Sequence, residues 1–229
     1  GLGDVYKRQA PAIRTIIHSK SPANLCRTLD LLDEVVDGLL ADRELALRSA
    51  KSEASEFFDQ LSKDRSVYYR MAMMDKTPSK VDFNARYCYF RAFTNMREVG
   101  RSLQSLAKQS LEHVANRHRV FKGDLADELR ALTAELRRIS SSVDGKPDLE
   151  ELHLNAKAAI DRIDAMQSEL MRAMPDGELS SRGSDVYLTF LLFARDFINH
   201  YEIVSMLAAR IDSLEQTPSV VTAPKEKIS

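Results

Sequence analysis

The sequence predicts an all-α fold, an antiparallel up-down bundle of five or six helices, several of them long. Three observations carry this expectation. Apolar residues recur at three- and four-residue intervals over most of the chain, which is the repeat of a helix with one buried face. No segment alternates apolar and polar residues between turn signals, so no sheet is expected. Glycine and proline number only eight and seven in 229 residues, and they divide the periodic stretches at a few points; short connections of this kind place consecutive helices antiparallel.

The chain opens with GLGDVYKRQ (residues 1–9), through which no apolar face can be drawn and whose glycines disfavour a helix. Its back-translation matches the transposon-end adapter of sequencing libraries, so the stretch is read as an adapter-derived artefact, disordered and outside the fold. On that reading the protein continues upstream of Ala10, and residues 10–20 form a linker from that upstream part. Ser21-Pro22 fits an N-cap followed by proline at the first helical position. The bundle domain is therefore expected over residues 21–214, with a disordered tail at 215–229.

Leu25, Leu29, Leu32, Val36 and Leu39 give the first amphipathic helix. The pattern is expected to continue, bending near Gly38, through Leu45, Leu47, Ala50, Ala54, Phe57, Phe58 and Leu61 until Thr77-Pro78 breaks it. Ser79 can cap a long helix whose face is read as Val81, Phe83, Tyr87, Phe90, Met96, Val99, Leu103, Leu106, Leu111 and Val114, ending at FKGD (121–124). A shorter helix carries Leu125, Leu129, Leu132, Leu136 and Ile139 and ends in SSSVDGKPD. Asp148 can cap the next, with Leu149, Leu152, Ala156, Ile160, Ile163, Met166 and Leu170, which stops at Pro175-Asp176-Gly177. The last helix runs from about Ser184 to Leu214. Its stretch 186–198 is apolar nearly all round, which places it at the centre of the bundle.

Composition narrows the function classes. Thirty-three basic and 34 acidic residues leave a net charge of −1, so no bulk field draws the chain onto nucleic acid or an anionic membrane. No stretch reaches the roughly 18 uncharged apolar residues that span a bilayer; the nearest, VYLTFLLFA, is stopped by Arg195 and Asp196. Cys26 and Cys88 are the two cysteines and lie in no metal-binding or redox spacing, which fits a reducing, cytoplasmic-type compartment and no disulfide framework. There is no P-loop, GxSxG, HExxH or glycine-rich dinucleotide turn, so no enzyme is expected.

Four clusters are candidates for chemistry. Asp30, Asp33 and Asp37, with Glu34, share a helix face that could hold a hard cation or simply be solvated. EHVANRHR gathers His113, Asn116, Arg117 and His118 near a helix end, where cations complement the macrodipole and could also meet an anion or a partner. His113 and His118 are five apart on the helix and point about 140° from each other, so no shared metal is expected. RDFINHYE sets Arg195, Asp196, Asn199 and His200 in the most apolar helix, which predicts a buried polar network across the bundle. Tyr68, Tyr69, Tyr87 and Tyr89, without a basic field, read as helix packing.

Two blocks carry a resemblance. YCYFRAFTNMREVGRSLQSLAKQSLEHVANRHRVF (87–121) resembles a segment of the C-terminal extension of Pit-family inorganic phosphate transporters, with His113, Val114, Asn116 and His118 matching its His-Val-Asn-Asn-Asn-His-like end and Ala115 and Arg117 departing from it. SDVYLTFLLFARDFINHYEIVSML has the character of the counterpart final helix. The general shape is similar to PhoU-type bundles, without their paired acidic metal motifs. The resemblance implies a regulatory or structural domain at the cytoplasmic face of the membrane, with no metal and no cofactor. Its expected partner is the transmembrane portion of the same transporter, and a homodimer is a candidate assembly. No nucleic acid and no insertion of this stretch into the bilayer are expected. The alternative is a free-standing PhoU-like regulator or adaptor.

Overall fold

The computed structural model describes residues 9–74, 77–118, 121–141, 148–173 and 181–216. Residues 1–8 of the expected adapter stretch, residues 142–147, Pro175-Asp176-Gly177 and the tail from 217 lie outside the described residues, as does Arg119. Gln9, counted with the adapter, opens the first helix, and residues 215–216, counted with the tail, close the last one. Among the described residues six helices follow in order: α1 Gln9–Leu40, α2 Glu44–Met74, α3 Lys80–Ala115, α4 Asp124–Ser141, α5 Leu149–Ala173 and α6 Ser181–Gln216. They form an all-helical bundle, with no strand among the described residues. No helix among them is long and apolar enough to cross a membrane.

α3 and α6 form the centre, each 36 residues long, or about 54 Å at about 1.5 Å per residue. They run antiparallel: Asn95 meets His200, Ser102 meets Asp196 and Gln109 meets Thr189. α2 flanks α3, also antiparallel, through Gln104 to Ser55, Arg97 to Ser62 and Tyr68 against Phe90. Val99, Leu103, Leu191, Phe197 and Ile198 are all buried between these helices.

The first helix begins earlier than Ser21-Pro22 suggests. Residues 10–20 are not a linker: they belong to α1, with Ile13 and Ile17 in the core. Arg14 Nε and His18 Nε2 lie 2.7 and 2.9 Å from Asp212 Oδ1 near the end of α6. Pro22 stands inside the helix, where it removes a hydrogen bond and costs about 3 kcal/mol. Burial of two isoleucines and the Asp212 tie offset that loss, which is why the helix runs through.

Nor does the first helix run on past Gly38. It ends at Leu40, and Asp42 adopts φ 54°. Arg43 N–H donates to Gly38 O at 2.9 Å and Asp42 N–H to Leu39 O at 3.3 Å, the paired bonds of a Schellman cap. α2 then returns closely: a Cβ on Gly38 would stand 2.9 Å from Leu47 Cγ. Leu45 falls outside the contact and is exposed.

The expected caps form. Ser79 Oγ accepts from Asp82 N–H at 3.1 Å, an N-cap bond, and its hydroxyl donates to the Asp82 carboxylate at 2.8 Å. Asp148 Oδ1 accepts from Glu150 N–H at 3.0 Å. The first turns of α3 are phased differently from the expectation: Val81, Phe83 and Tyr87 are exposed and Phe90 is half-buried, while Ala85, Cys88, Tyr89, Ala92 and Phe93 face the core. The inward face there mixes small residues with Tyr89 and Phe93, whose rings stack at 4.4 Å.

Candidate functional site

α3 ends earlier than FKGD. Its last helical residue is Ala115, with Asn116 as C-cap at φ −86° and Arg117 at φ 54°. Arg117 N–H donates to Val114 O at 2.9 Å and His118 N–H to His113 O at 3.1 Å, again a Schellman reversal, here with arginine at the position usually given to glycine. The reversal lays His118 back over His113, with ring centroids 5.3 Å apart and planes tilted by 50°. The expectation that these rings point about 140° apart holds only for a continuing helix, and is corrected by the cap. Phe121 stacks on the same imidazole at 5.3 Å, and His113 is buried while His118 is half-exposed.

This end of α3 faces the first turns of α6 across a pocket of about 630 Å³. Ser105, Lys108, Gln109 and Glu112 share one face of α3 and line one wall, continued by His113, Asn116 and His118. Asp185, Val186, Leu188 and Thr189 line the other. The Thr189 hydroxyl lies 2.7 Å from Gln109 Oε1 and 2.8 Å from the Asp185 carbonyl, closing the floor. Lys108 Nζ stands 3.9 Å from the Glu112 carboxylate. The charged groups are thus one ammonium against two carboxylates, Glu112 and Asp185. Arg117 is exposed and does not line the pocket.

The expected network of α6 divides among three directions. Asp196 accepts from the Ser102 hydroxyl at 2.6 Å. His200 Nδ1 lies 2.6 Å from Asn95 Oδ1, and Asn95 Nδ2 donates to Arg91 O at 2.7 Å. That second bond fixes the amide, so its oxygen faces the imidazole and Nδ1 must carry the proton. Burial holds the His200 imidazole below its ordinary value, against the upward pull of Asp196 and Glu98. Arg195 turns instead to α5 and pairs with Asp164. Asn199 is exposed and stands outside the network.

Asn95 and Ser102, which complete this network, and Gln109, which meets Thr189, follow at intervals of seven residues on α3. Two helical turns separate them, so they form one polar line within the apolar seam. That spacing is the signal in the sequence from which they can be found.

The acidic face of α1 holds no open cation site. Arg137 of α4 places Nη2 2.8 Å from Asp30 and Nε 2.8 Å from Asp33, so a guanidinium occupies the centre of the cluster. Its pKa is raised by the hydrogen bond to Asp30, against burial, and further by Asp33. Among the described residues no group of three or more His, Cys, Asp or Glu has the geometry to hold a metal ion.

Comparison with protein-family models, with curated proteins and with solved structures returns no match.

Proposed function

We propose that this bundle is a regulatory or structural domain of an inorganic phosphate transporter, held at the cytoplasmic face of the membrane by the transporter's own transmembrane portion. One observation carries the reading. Three of the four matching residues at the end of the transporter-like block, His113, Asn116 and His118, are among those that line the pocket between α3 and α6. The pocket offers donors in Lys108, Asn116 and the imidazoles, and acceptors in Glu112 and Asp185. A bare phosphate ion gains from Lys108 and loses to both carboxylates. A polypeptide loop of mixed charge satisfies both sets, so the contact we assign is to a loop of the transporter rather than to its substrate. Such a domain regulates by binding one conformer more tightly than another, and only by that difference.

The test is phosphate uptake by the transporter that carries this bundle, in cells with no other phosphate importer. Deleting the bundle, and separately replacing Asn116 and His118 by Ala, should change the rate or its regulation and leave the dependence on the coupling ion intact. An unchanged uptake profile in both forms overturns the reading. A gene with no membrane spans beside this bundle also defeats it, in favour of the free-standing PhoU-like regulator.

A further inference from the structure

Charge is balanced over the chain, at −1, but not along the bundle. At the end opposite the pocket, the last turns of α2 and the last turns of α6 both pack on the first turns of α3. Tyr68 packs on Phe90 at 4.7 Å, and the Arg210 guanidinium lies 5.7 Å from the centre of the Tyr87 ring. Eleven large apolar side chains are exposed among the described residues, and six of them are here: Tyr69, Met73, Val81, Phe83, Tyr87 and Met206. Every exposed aromatic of that set is included.

Between them stand Lys63, Arg70, Lys80, Arg91 and Arg210, all exposed and none in an ion pair among the described residues. On these elements Glu56 and Asp59 are exposed two turns and one turn before Lys63, while the carboxylates nearer the helix ends are already engaged. Asp64 pairs with Lys20 at 2.7 Å, Asp82 closes the Ser79 cap, and Asp212 is held by Arg14 and His18. The acids that open α5 belong to the other flank of α6, where His153 meets Glu202 at 2.6 Å. What remains is a positive face studded with aromatic and methionine side chains, which an ordinary solvated helix end does not carry.

We propose that this face docks on an anionic lipid surface. The five cations come from three different helices, each within about three turns of this end, and so match charge distributed in two dimensions better than a single acidic segment, which calls for a row. Phe83, Tyr87 and Met73 enter the headgroup layer, where rings with one apolar and one wet side are most stable. The arginine and lysine stems lie along them and carry their charges to the lipid phosphates. The proposal stands on this surface alone and does not require the transporter reading.

The experiment is sedimentation of the full chain with vesicles of phosphatidylcholine alone, or of phosphatidylcholine with about one-third phosphatidylglycerol. Binding is expected only to the anionic vesicles and should fall as salt is raised. Neutralising Arg70 and Arg91 together (Arg70→Gln, Arg91→Gln) should weaken it on the order of twenty-fold. The chain has no tryptophan, so Phe83→Trp supplies a single reporter whose emission should shift to the blue on anionic vesicles. Both positions are exposed, and an unchanged circular dichroism spectrum shows that the variants fold. Equal sedimentation with both vesicle types, none with either, or an unshifted tryptophan overturns the proposal. Capture of an acidic polypeptide such as polyglutamate without vesicle binding also overturns it and assigns the face to an acidic protein.

Discussion

His118 lies over His113 with ring centroids 5.3 Å apart, and one backbone angle is responsible. Arg117 takes φ 54°, and the chain turns back on the helix it has just left. Arginine holds that conformation at a cost of about 1–2 kcal/mol relative to the right-handed region. The paired hydrogen bonds of the reversal and the stacking of His118 and Phe121 on His113 offset it.

Arg117→Gly should therefore stabilise the protein. Glycine removes the Cβ conflict but gives back part of the gain through a freer unfolded chain. The expected net change is about 0.5–1 kcal/mol, read as a higher urea midpoint at unchanged m-value. Arg117→Val should lower the midpoint. A glycine variant no more stable than the parent would show that Arg117 makes a compensating contact.

The N-terminal half of α1 gives a second prediction. Ile17 is 0 % exposed, so Ile17→Ala should cost about 2–5 kcal/mol, the range of a buried aliphatic truncation. Leu103→Ala and Leu191→Ala should fall in the same range. Leu45, 83 % exposed, should lose under about 0.5 kcal/mol on the same change. A small loss at Ile17 with large losses at Leu103 and Leu191 would detach residues 12–20 from the cooperative fold.

Gly100 tests how tightly α2 and α3 approach. A Cβ there would stand 2.7 Å from Leu61 Cδ1, and Leu61 is itself 1 % exposed. Alanine gains about 0.5–1 kcal/mol of helix propensity over glycine. Forcing Leu61 off its rotamer in a filled core costs about 1–3 kcal/mol. Gly100→Ala should therefore destabilise by about 1 kcal/mol, seen in thermal or urea unfolding. Stabilisation would mean that Leu61 has room to move.

These positions also show what the sequence discloses and what it withholds. Ser79 and Asp148 are legible as caps because their side chains act locally, on backbone three residues away or fewer. The N-terminal phase of α3 is not legible from apolar size: Phe83 and Tyr87 are larger than Ala85, Cys88 and Ala92, yet the small residues face the core. Helix α1 runs through Pro22 because contacts with α6, distant in sequence, outweigh a local penalty. At the pocket, His113, Asn116 and His118 are legible as a cluster, but their geometry depends on a left-handed residue that neither glycine nor asparagine announces. Arg195 and Asn199 sit on α6 near Asp196, yet Arg195 turns to Asp164 of α5 and Asn199 to solvent, a division that depends on which helices pack on each side.

His200 gives the last prediction, on pH. Its Nδ1 is committed to Asn95 Oδ1 at 2.6 Å, and burial lowers its pKa despite Asp196 and Glu98. The neutral ring is therefore favoured in the folded state. The stabilisation this represents is fully present above the unfolded-state value of about 6.5. As pH falls below that value, the unfolded chain takes up a proton that the folded chain does not, and stability declines until the folded pKa is reached. The slope approaches about 1.4 kcal/mol per pH unit when one full proton separates the two states. His200→Gln keeps an amide donor toward Asn95 and removes the titration, so its stability should fall less between about pH 6.5 and 5. Asp212 is also poised: burial raises its pKa, but the hydrogen bonds of His18 and Arg14 outweigh it and hold the carboxyl below its ordinary value. Its loss falls at lower pH, in the carboxylate range, so a scan stopped near about pH 5 leaves it aside, and the difference between parent and variant isolates His200. The measurement is urea unfolding across that window for both proteins. Parallel curves for His200→Gln and the parent would show that this imidazole titrates alike folded and unfolded, and would remove the buried Asn95–His200 pair as a source of acid sensitivity.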